Sequence, residues 1–266
     1  MFYRFLLASL IGLLVSYSYI LLFNRGMLTK INIFNKKGWF LGIFLFGSYL
    51  FQTIGLNYTT PSNAAFITSL SVILVPMVLF LKGQKISKLN IISFTLATIG
   101  LTLITINFTT FQLNFGDIVV LGTAVSLAFQ IVFTDEFVKD NSPLELTISQ
   151  LLCTTVLSLG AALLFEAKDF ESVPAFSGSV IFALLFTALL ATIYGYFAQT
   201  KAQEIVNPIV IAIIFTFEPI FALLISLWVG EETLNLIKVA GMALILSATI
   251  LAVIKENLNG IQNLEG

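Results

Sequence analysis

Nine long apolar segments dominate this sequence, and each is long enough to cross a lipid bilayer as a helix. A spanning helix needs about 20 predominantly apolar residues. We place the spans near residues 4–23, 38–57, 63–81, 89–107, 116–134, 143–165, 177–198, 206–229 and 234–254. The connections are short and contain turn-forming residues, so they leave no room for a soluble domain. The sequence therefore predicts an all-α, polytopic membrane protein whose function lies within its helices.

Composition narrows the function classes further. The chain is 58% hydrophobic and 10% charged, which is typical of membrane proteins. Its net charge of -1 gives no basic surface for nucleic acid. Histidine is absent and cysteine is single, which excludes a disulfide framework, His/Cys zinc sites and histidine general bases. We therefore expect no metal, no other cofactor and no nucleic-acid partner.

The basic residues predict an orientation in the membrane. Cytoplasmic connections of membrane proteins carry an excess of lysine and arginine. Ten basic residues lie in alternate connections and the tail, and three lie on the opposite side. The ten are Arg25, Lys30, Lys36, Lys37, Lys82, Lys85, Lys88, Lys139, Lys201 and Lys255; the three are Arg4, Lys168 and Lys238. This pattern predicts a protein of the cell membrane with a cytoplasmic C-terminus.

The sequence also matches itself when it is shifted by 147 residues. Gln52 then falls on Gln199, Pro61 on Pro208 and Gly83 on Gly230, without a gap. Identity is low, so a chance alignment of apolar helices is the alternative. The shift places matching connections on opposite sides of the membrane, as in inverted-topology transporter repeats. It predicts a four-helix unit over 1–110, a five-helix unit over 116–256, and a polar tail over 257–266.

Three stretches resemble EamA-type permeases of the drug/metabolite transporter superfamily. They are "GLNYTTPSNAAFITSLSVILVPMVLFLKGQKIS", "GDIVVLGTAVSLAFQIVF" and "FTFEPIFALLISLWVGEETLNLIKVAGMALILSATIL". The resemblance implies two repeats of five helices, with a Gly-Glu pair near the end of each repeat. Gly230 and Glu231 fit that pattern, whereas Gly83 is followed by Gln84 and lacks the acid.

The opening segment "MFYRFLLASLIGLLVSYSYILLF" is longer than the apolar core of a signal peptide, and it lacks a small-residue cleavage site. We interpret it as a membrane helix. Under the resemblance, "FYRFLLA" is similar to the second helix of the family. We therefore expect that the recorded start is internal, or that the chain has lost one wall of its cavity.

Glu218 is the strongest candidate for a residue with a functional role in transport. At 1.5 Å per residue it lies about 18 Å from Val206 and about 16 Å from Val229, near the middle of its span. An ionisable group at this depth is costly and is a functional hypothesis by default. It could couple transport to protons or bind a substrate amine. The alternative is a neutral carboxyl group hydrogen-bonded within the bundle, beside Pro219, which leaves the Phe215 carbonyl without its helical donor.

Polar residues on other spans could line the same cavity. They are Gln52, Asn63, Thr68, Ser71, Gln130, Tyr194, Gln199 and Asn207. Thr68 and Ser71 lie three residues apart on one helical face. Gln52 and Gln199 match under the shift, so inverted repeats would bring them towards opposite faces of the membrane. Packing is an equal alternative for each residue, because helix bundles use such side chains to hold helices together.

Arg4 has two interpretations. A long cationic side chain near a helix end can snorkel to the membrane surface. The family resemblance instead implies a gate or a contact for a substrate anion at the mouth of the cavity. A direct pair between Arg4 and Glu218 is not expected, because their depths differ by more than the length of an arginine side chain.

Together these features favour a secondary transporter without enzymatic activity. It would move small metabolites such as amino acids, sugars or amines by alternating access. No P-loop is present, so ATP does not drive it directly. The sequence leaves open the coupling to protons, the direction of transport, the identity of the substrate and whether the chain forms a homodimer. We expect membrane lipid and the metabolite as its partners. The alternatives are an enzyme in the membrane, and a non-transporting subunit or lipid-carrier partner of a heteromeric complex.

Overall fold

The computed structural model of the protein describes residues 1–23, 32–105, 114–165, 177–229 and 235–265. All regular secondary structure in these ranges is helical. The helices are α1 (Phe2–Phe23), α2 (Lys36–Gly55), α3 (Pro61–Ser69), α4 (Ser71–Leu81), α5 (Lys88–Thr105), α6 (Phe115–Val138), α7 (Pro143–Phe165), α8 (Gly178–Phe186), α9 (Gly195–Ala202), α10 (Pro208–Phe215), α11 (Phe217–Val229) and α12 (Leu236–Glu265). A π-helical segment, Thr187–Tyr194, joins α8 to α9.

These helices confirm the prediction of an all-α, polytopic membrane protein. Within the described ranges, seven stretches are long and apolar enough to cross a bilayer. They are Lys36–Gly55, Asn63–Leu81, Phe115–Val138, Pro143–Phe165, Gly178–Ala202, Pro208–Ile225 and Leu236–Ile254. Two shorter apolar stretches, Phe2–Val15 and Lys88–Ile104, fall on the other two predicted spans.

Three of the spans are not continuous α-helices. α3 and α4 meet at Leu70, and α10 and α11 meet at Thr216. The span Gly178–Ala202 changes to π-helix between Thr187 and Tyr194. The hydropathy of the sequence runs smoothly through all three positions, so the sequence analysis did not predict them.

The chain divides into two compact units. The first unit comprises Met1–Tyr49 and Phe133–Ile205, and the second comprises Leu50–Val132 and Val206–Gly266. Each unit takes segments from both halves of the sequence. The division into repeats at residues 110–116 therefore stays a prediction about the sequence, and the compact units follow a different division.

In the first unit, α1 packs against α7 and the π-helical segment. Its core is formed by Phe5, Ala8, Leu45, Leu151 and Ala188. Hydroxyl groups add a polar contact to this apolar packing, since Ser9 Oγ lies 2.7 Å from Thr155 Oγ1. The first unit thus combines apolar packing with hydrogen bonds between spans.

In the second unit, α5 packs along α12. A β-carbon on Gly100 would lie 2.6 Å from the Gly241 carbonyl oxygen, and one on Gly241 would lie 2.7 Å from the Gly100 oxygen. Two glycines therefore allow the helix backbones to approach closely, as small residues do in membrane bundles. Leu101, Ile104, Ile220, Leu223 and Ile245 form the adjoining core.

Candidate functional site

In the first unit, neutral polar and aromatic groups hold a cationic side chain. Arg4 donates from Nε to Thr192 Oγ1 at 2.7 Å and from Nη2 to Tyr49 Oη at 3.1 Å. Its guanidinium carbon lies 5.0 Å from the centre of the Tyr49 ring, within range of a cation–π contact. Tyr196 Oη donates to Tyr49 Oη at 3.3 Å. We call Arg4, Tyr49, Thr192 and Tyr196 the Arg4 cluster.

The partners of Arg4 lie on two other spans. At 1.5 Å per residue, Tyr49 is about 9 Å before the last residue of α2, Gly55. Thr192 is fully buried and lies in the middle part of the span Gly178–Ala202. The guanidinium is therefore hydrogen-bonded to side chains of two other spans. Snorkelling and the role of a gate both stay predictions for Arg4.

The π-helical segment positions the hydroxyl group that receives Arg4. Thr192 Oγ1 donates to the Thr187 carbonyl oxygen at 2.9 Å, five residues earlier in the chain. Because its hydrogen is used there, the oxygen presents its lone pairs to Arg4 Nε. Single-turn π-helical segments are rare and occur frequently at functional sites.

The two tyrosines of the Arg4 cluster are matched by the 147-residue shift. Tyr49 lies on α2 and Tyr196 on α9, and their hydroxyl groups are hydrogen-bonded to each other. Matching positions of the two sequence halves thus meet beside Arg4. The sequence analysis missed Tyr49, Thr192 and Tyr196. Extending the repeat alignment two residues before Phe51 would have found both tyrosines, whereas nothing in the sequence marks Thr192.

In the second unit, two spans begin in the same way at matching positions. Thr60 caps α3, and its hydroxyl oxygen accepts from the Asn63 amide at 3.2 Å. Asn207 caps α10, and its side-chain oxygen accepts from the Ile209 amide at 2.9 Å. A proline follows each cap, where its missing N–H costs nothing. Asn207, a predicted substrate contact, therefore already has a capping role.

The same two spans are interrupted within one residue of matching positions, at Leu70 and Thr216. Ser69 Oγ donates to the Ala65 carbonyl oxygen at 2.8 Å, and Thr216 Oγ1 donates to the Ile213 oxygen at 2.6 Å. Such back-bonding competes with the helical amides and bends helices. Pro219 adds to the second interruption, because its ring excludes the carbonyl group four residues earlier, at Phe215, where α10 ends.

Ser71 and Glu218 occupy matching positions just after the interruptions. Ser71 is 1% exposed, and its Oγ has no hydrogen-bond partner among the described atoms. Thr68 Oγ1 is also buried without a partner. Glu218 lies in the first turn of α11 with an exposed side chain. Within the described ranges, no hydrogen bond or ion pair involves its carboxylate.

The other candidates do not gather at one place. Gln199 is buried in the first unit, and its amide donates to Gln203 Oε1 at 3.1 Å. Gln130 is fully buried in α6 of the second unit, where Gln52 and Asn63 are half-buried. Tyr194 is exposed at the end of the π-helical segment.

A cavity of 520 Å³ lies in the first unit. Its walls come from α1, α7, the π-helical segment and α9, and include Val15, Leu151, Ile193, Tyr194 and Phe197. Thr147 also lines it, and its buried hydroxyl group has no partner among the described atoms. This apolar wall with a few hydroxyl groups suits the carbon skeleton of a small molecule.

Two of the four residues predicted to be structural, Gly83 and Pro219, lie in the described part of the chain. Gly83 has a φ of 81°, in the left-handed region that favours glycine. The Gln84 amide then donates to the Leu79 carbonyl oxygen at 3.0 Å, which closes α4 in a Schellman motif. Gly230 and Glu231 lie outside the described residues. In the described part of the chain, no three acidic or cysteine side chains gather in the way a metal site requires.

The sequence is similar to proteins of one transporter family. The EamA-like transporter family matches residues 1–106 and 114–254. A protein of Archaeoglobus fulgidus named as an uncharacterised transporter is 32% identical over 217 residues, which cover 81% of this chain and 68% of that protein. The Bacillus subtilis protein YyaM, also named as an uncharacterised transporter, is 26% identical over 80% of this chain and 70% of its own length. A crystal structure with 18% identity has the same fold, with a TM-score of 0.77 over 96% of this chain and 88% of that one.

Proposed function

We propose that this chain, which belongs to the EamA-like transporter family, is a secondary transporter of small metabolites that works by alternating access. Its family and its long apolar helices identify the chain as an integral membrane protein and a transporter. The substrate class, the coupling and the access mechanism are the proposed part.

One observation carries the proposal: two spans of the second unit are interrupted within one residue of matching positions. α3 and α10 share their cap, their first proline and their last-turn hydroxyl group under one shift of 147 residues. Transporters built from inverted repeats use interrupted helices in corresponding positions to form the substrate and ion site. The unpartnered hydroxyl groups of Thr68 and Ser71 and the carboxylate of Glu218 lie at these interruptions.

The proposal assigns Glu218 to proton coupling or to a substrate amine. A carboxylate within a membrane span is costly unless it has a functional partner. Its exposure in the second unit leaves it free to meet a proton or a cationic group. The basic residues of the connections support a location in the cell membrane with a cytoplasmic C-terminus.

The test has two stages. Untargeted metabolite measurements in the cytosol and medium of cells with and without the protein nominate substrates. Purified protein in proteoliposomes is then tested for counterflow of each labelled compound. We expect saturable flux of at least one small polar metabolite. Flux of none of the nominated amino acids, sugars or amines would contradict transport by this chain alone and favour the non-transporting subunit.

A further inference from the structure

We propose that the first unit binds an anionic phospholipid of the membrane in a groove at the start of α2. The phosphate of the lipid contacts Lys36, and one acyl chain lies along the apolar wall of the groove. This inference goes beyond the proposed transport function and does not depend on it. It follows from the groove's lining, from the charge at its end and from its depth in the membrane.

The groove has a volume of 450 Å³, within the range of about 300–1,000 Å³ that is typical of ligand sites. It is lined by Phe34, Lys36, Trp39, Phe40, Ile43 and Cys153. Four of these residues follow the spacing i, i+3, i+4 and i+7 along α2, so they share one face of the helix. Phe34 is 66% exposed and Ile43 is 54% exposed, so the groove is open at the surface of the unit.

Aromatic side chains form the apolar wall of this groove. The ring of Phe34 stacks on that of Trp39, with 6.0 Å between the ring centres. Trp39 Nε1 donates to the Ile33 carbonyl oxygen at 3.2 Å. Phe40 packs edge-on against Phe133 at 5.1 Å. Because the indole N–H is already used within the protein, these rings present apolar surface to a ligand.

Lys36 places a cationic group at the end of this wall. Its side chain is exposed, and no other described residue holds its ammonium group in a hydrogen bond or ion pair. The neighbouring Lys37 differs, because it pairs with Asp140 at 3.4 Å. Glu145 is also engaged, since it accepts from the Asn32 amide at 2.6 Å. The charge of Lys36 is therefore available to an anion.

The depth of the groove matches the shape of a phospholipid. Lys36 is the first residue of the span Lys36–Gly55, so its ammonium group lies near the level of the lipid headgroups. At 1.5 Å per residue, Ile43 lies about 10 Å further along α2, towards the hydrocarbon region. The sequence over 24–37 contains four basic residues and no acid, and it lies on the predicted cytoplasmic side. Anionic lipids of the cytoplasmic leaflet attract such segments, so charge complementarity favours an anionic headgroup.

The two tryptophans of the chain allow a direct test. Trp39 lines the groove, whereas Trp228 is 88% exposed on α11 of the second unit. Trp228→Phe leaves Trp39 as the emitter, and Trp39→Phe leaves Trp228. The full chain is placed in phosphatidylcholine vesicles with a small fraction of either phosphatidylglycerol or phosphatidylcholine that carries bromine on its acyl chains. Bromine quenches tryptophan fluorescence on contact.

At Trp39 we expect phosphatidylglycerol to bind about fivefold more tightly than phosphatidylcholine. This ratio corresponds to about 1 kcal/mol, the size expected for one basic residue at the membrane surface. At Trp228 the ratio should be close to one. Phosphatidylglycerol should also raise the melting temperature in detergent, because a ligand that binds the folded state stabilises it.

Variants in the Trp228→Phe background assign the preference to the groove. Lys36→Gln should bring the ratio close to one, and Lys36→Arg should keep it. Lys85→Gln is the control, since it removes an exposed cation in the connection between α4 and α5. Ile43→Phe fills the groove and should lower quenching by both lipids. Ile54→Phe, at a position on α2 outside the groove that is 40% exposed, should leave quenching unchanged.

Several outcomes would overturn the site. Equal binding of both lipids at Trp39, or the same preference at both tryptophans, would mean that the groove does not select a lipid. A preference that survives in Lys36→Gln would assign it to other basic residues. Competition by inorganic phosphate as strong as that by unlabelled phosphatidylglycerol would assign the groove to a free anion. None of these measurements uses transport, so failure of the proposed function leaves the lipid site standing.

Discussion

The two compact units treat their intramembrane charges in opposite ways. In the first unit, Arg4 is fixed by two hydrogen bonds and a cation–π contact. In the second unit, Glu218 follows a helix interruption and has no hydrogen bond or ion pair with any described residue. One charge is held by neutral hydrogen-bond partners, and the other has no hydrogen-bond or ion-pair partner among the described residues.

We propose that this difference separates a fixed contact at Arg4 from a protonation switch at Glu218. Arginine stays protonated in proteins, so a fixed guanidinium offers the same contact throughout a transport cycle. A carboxylate can gain or lose a proton, and its affinity for a cationic group changes when it does. We therefore expect changes at Arg4 to alter which substrates are accepted, and changes at Glu218 to alter how transport responds to a proton gradient.

The largest effect that sharpens this comparison is expected for Glu218→Gln. The amide keeps the shape but cannot carry the charge, so transport should fall by at least about tenfold, or about 1.4 kcal/mol. The response to an imposed pH gradient should disappear with it. Because Glu218 has no described partner, the melting temperature should stay unchanged. Counterflow and gradient-driven uptake in proteoliposomes measure both effects.

Glu204→Gln is the matched control for that variant. Glu204 lies after α9 and pairs with Lys201 at the end of the span Gly178–Ala202, where a partly exposed ion pair contributes little. It should transport normally. If Glu218→Gln keeps full activity over a range of pH gradients, Glu218 is a packing residue, and the contrast with Arg4 loses its functional meaning.

The next effect concerns stability, and it distinguishes the apolar second unit from the first. Gly100→Ala places a methyl group against the Gly241 backbone oxygen, where neither helix can yield by moving a side chain. Overpacking of this kind costs about 1–3 kcal/mol, so the melting temperature should fall. Gly160→Ala is the control, because a β-carbon there meets nothing within 4 Å; an equal loss in both variants would refute the close crossing.

The spans could be predicted from the sequence because a run of apolar residues marks the part of the chain that lies in the hydrocarbon region. The predicted spans 89–107 and 143–165 fall on the observed helices α5 (Lys88–Thr105) and α7 (Pro143–Phe165). Boundaries differ where helix continues beyond the apolar run. α6 extends to Val138 through Asp135 and Glu136, and α12 extends to Glu265 through the polar tail. Glutamate and lysine are good helix formers, so a helix can continue beyond the end of the apolar run.

The site could be predicted only in part, because it depends on backbone hydrogen bonds. Glu218 stands out as an acid in an apolar run. The Leu70 and Thr216 amides donate to carbonyl groups three residues earlier, at Ile67 and Ile213. Hydroxyl back-bonding alone does not mark such an interruption, because Thr95, Thr98 and Thr102 make the same bonds in the continuous helix α5. Thr192 meets Arg4 because a π-helical segment turns it there, and no residue pattern in the sequence marks such a segment.

The smallest effect tests the tyrosine pair that links matching halves of the sequence in the first unit. Tyr49→Phe and Tyr196→Phe each remove one hydroxyl group, and the double variant removes the hydrogen bond between them. A neutral hydrogen bond contributes about 0.5–1.5 kcal/mol, so a double-mutant cycle on the free energy of unfolding should show coupling of that size. Tyr49→Phe should lower the free energy of unfolding more than Tyr196→Phe, since it also releases Arg4 Nη2. Equal losses in the two single variants, with no coupling in the double variant, would mean that the pair does not fix the guanidinium.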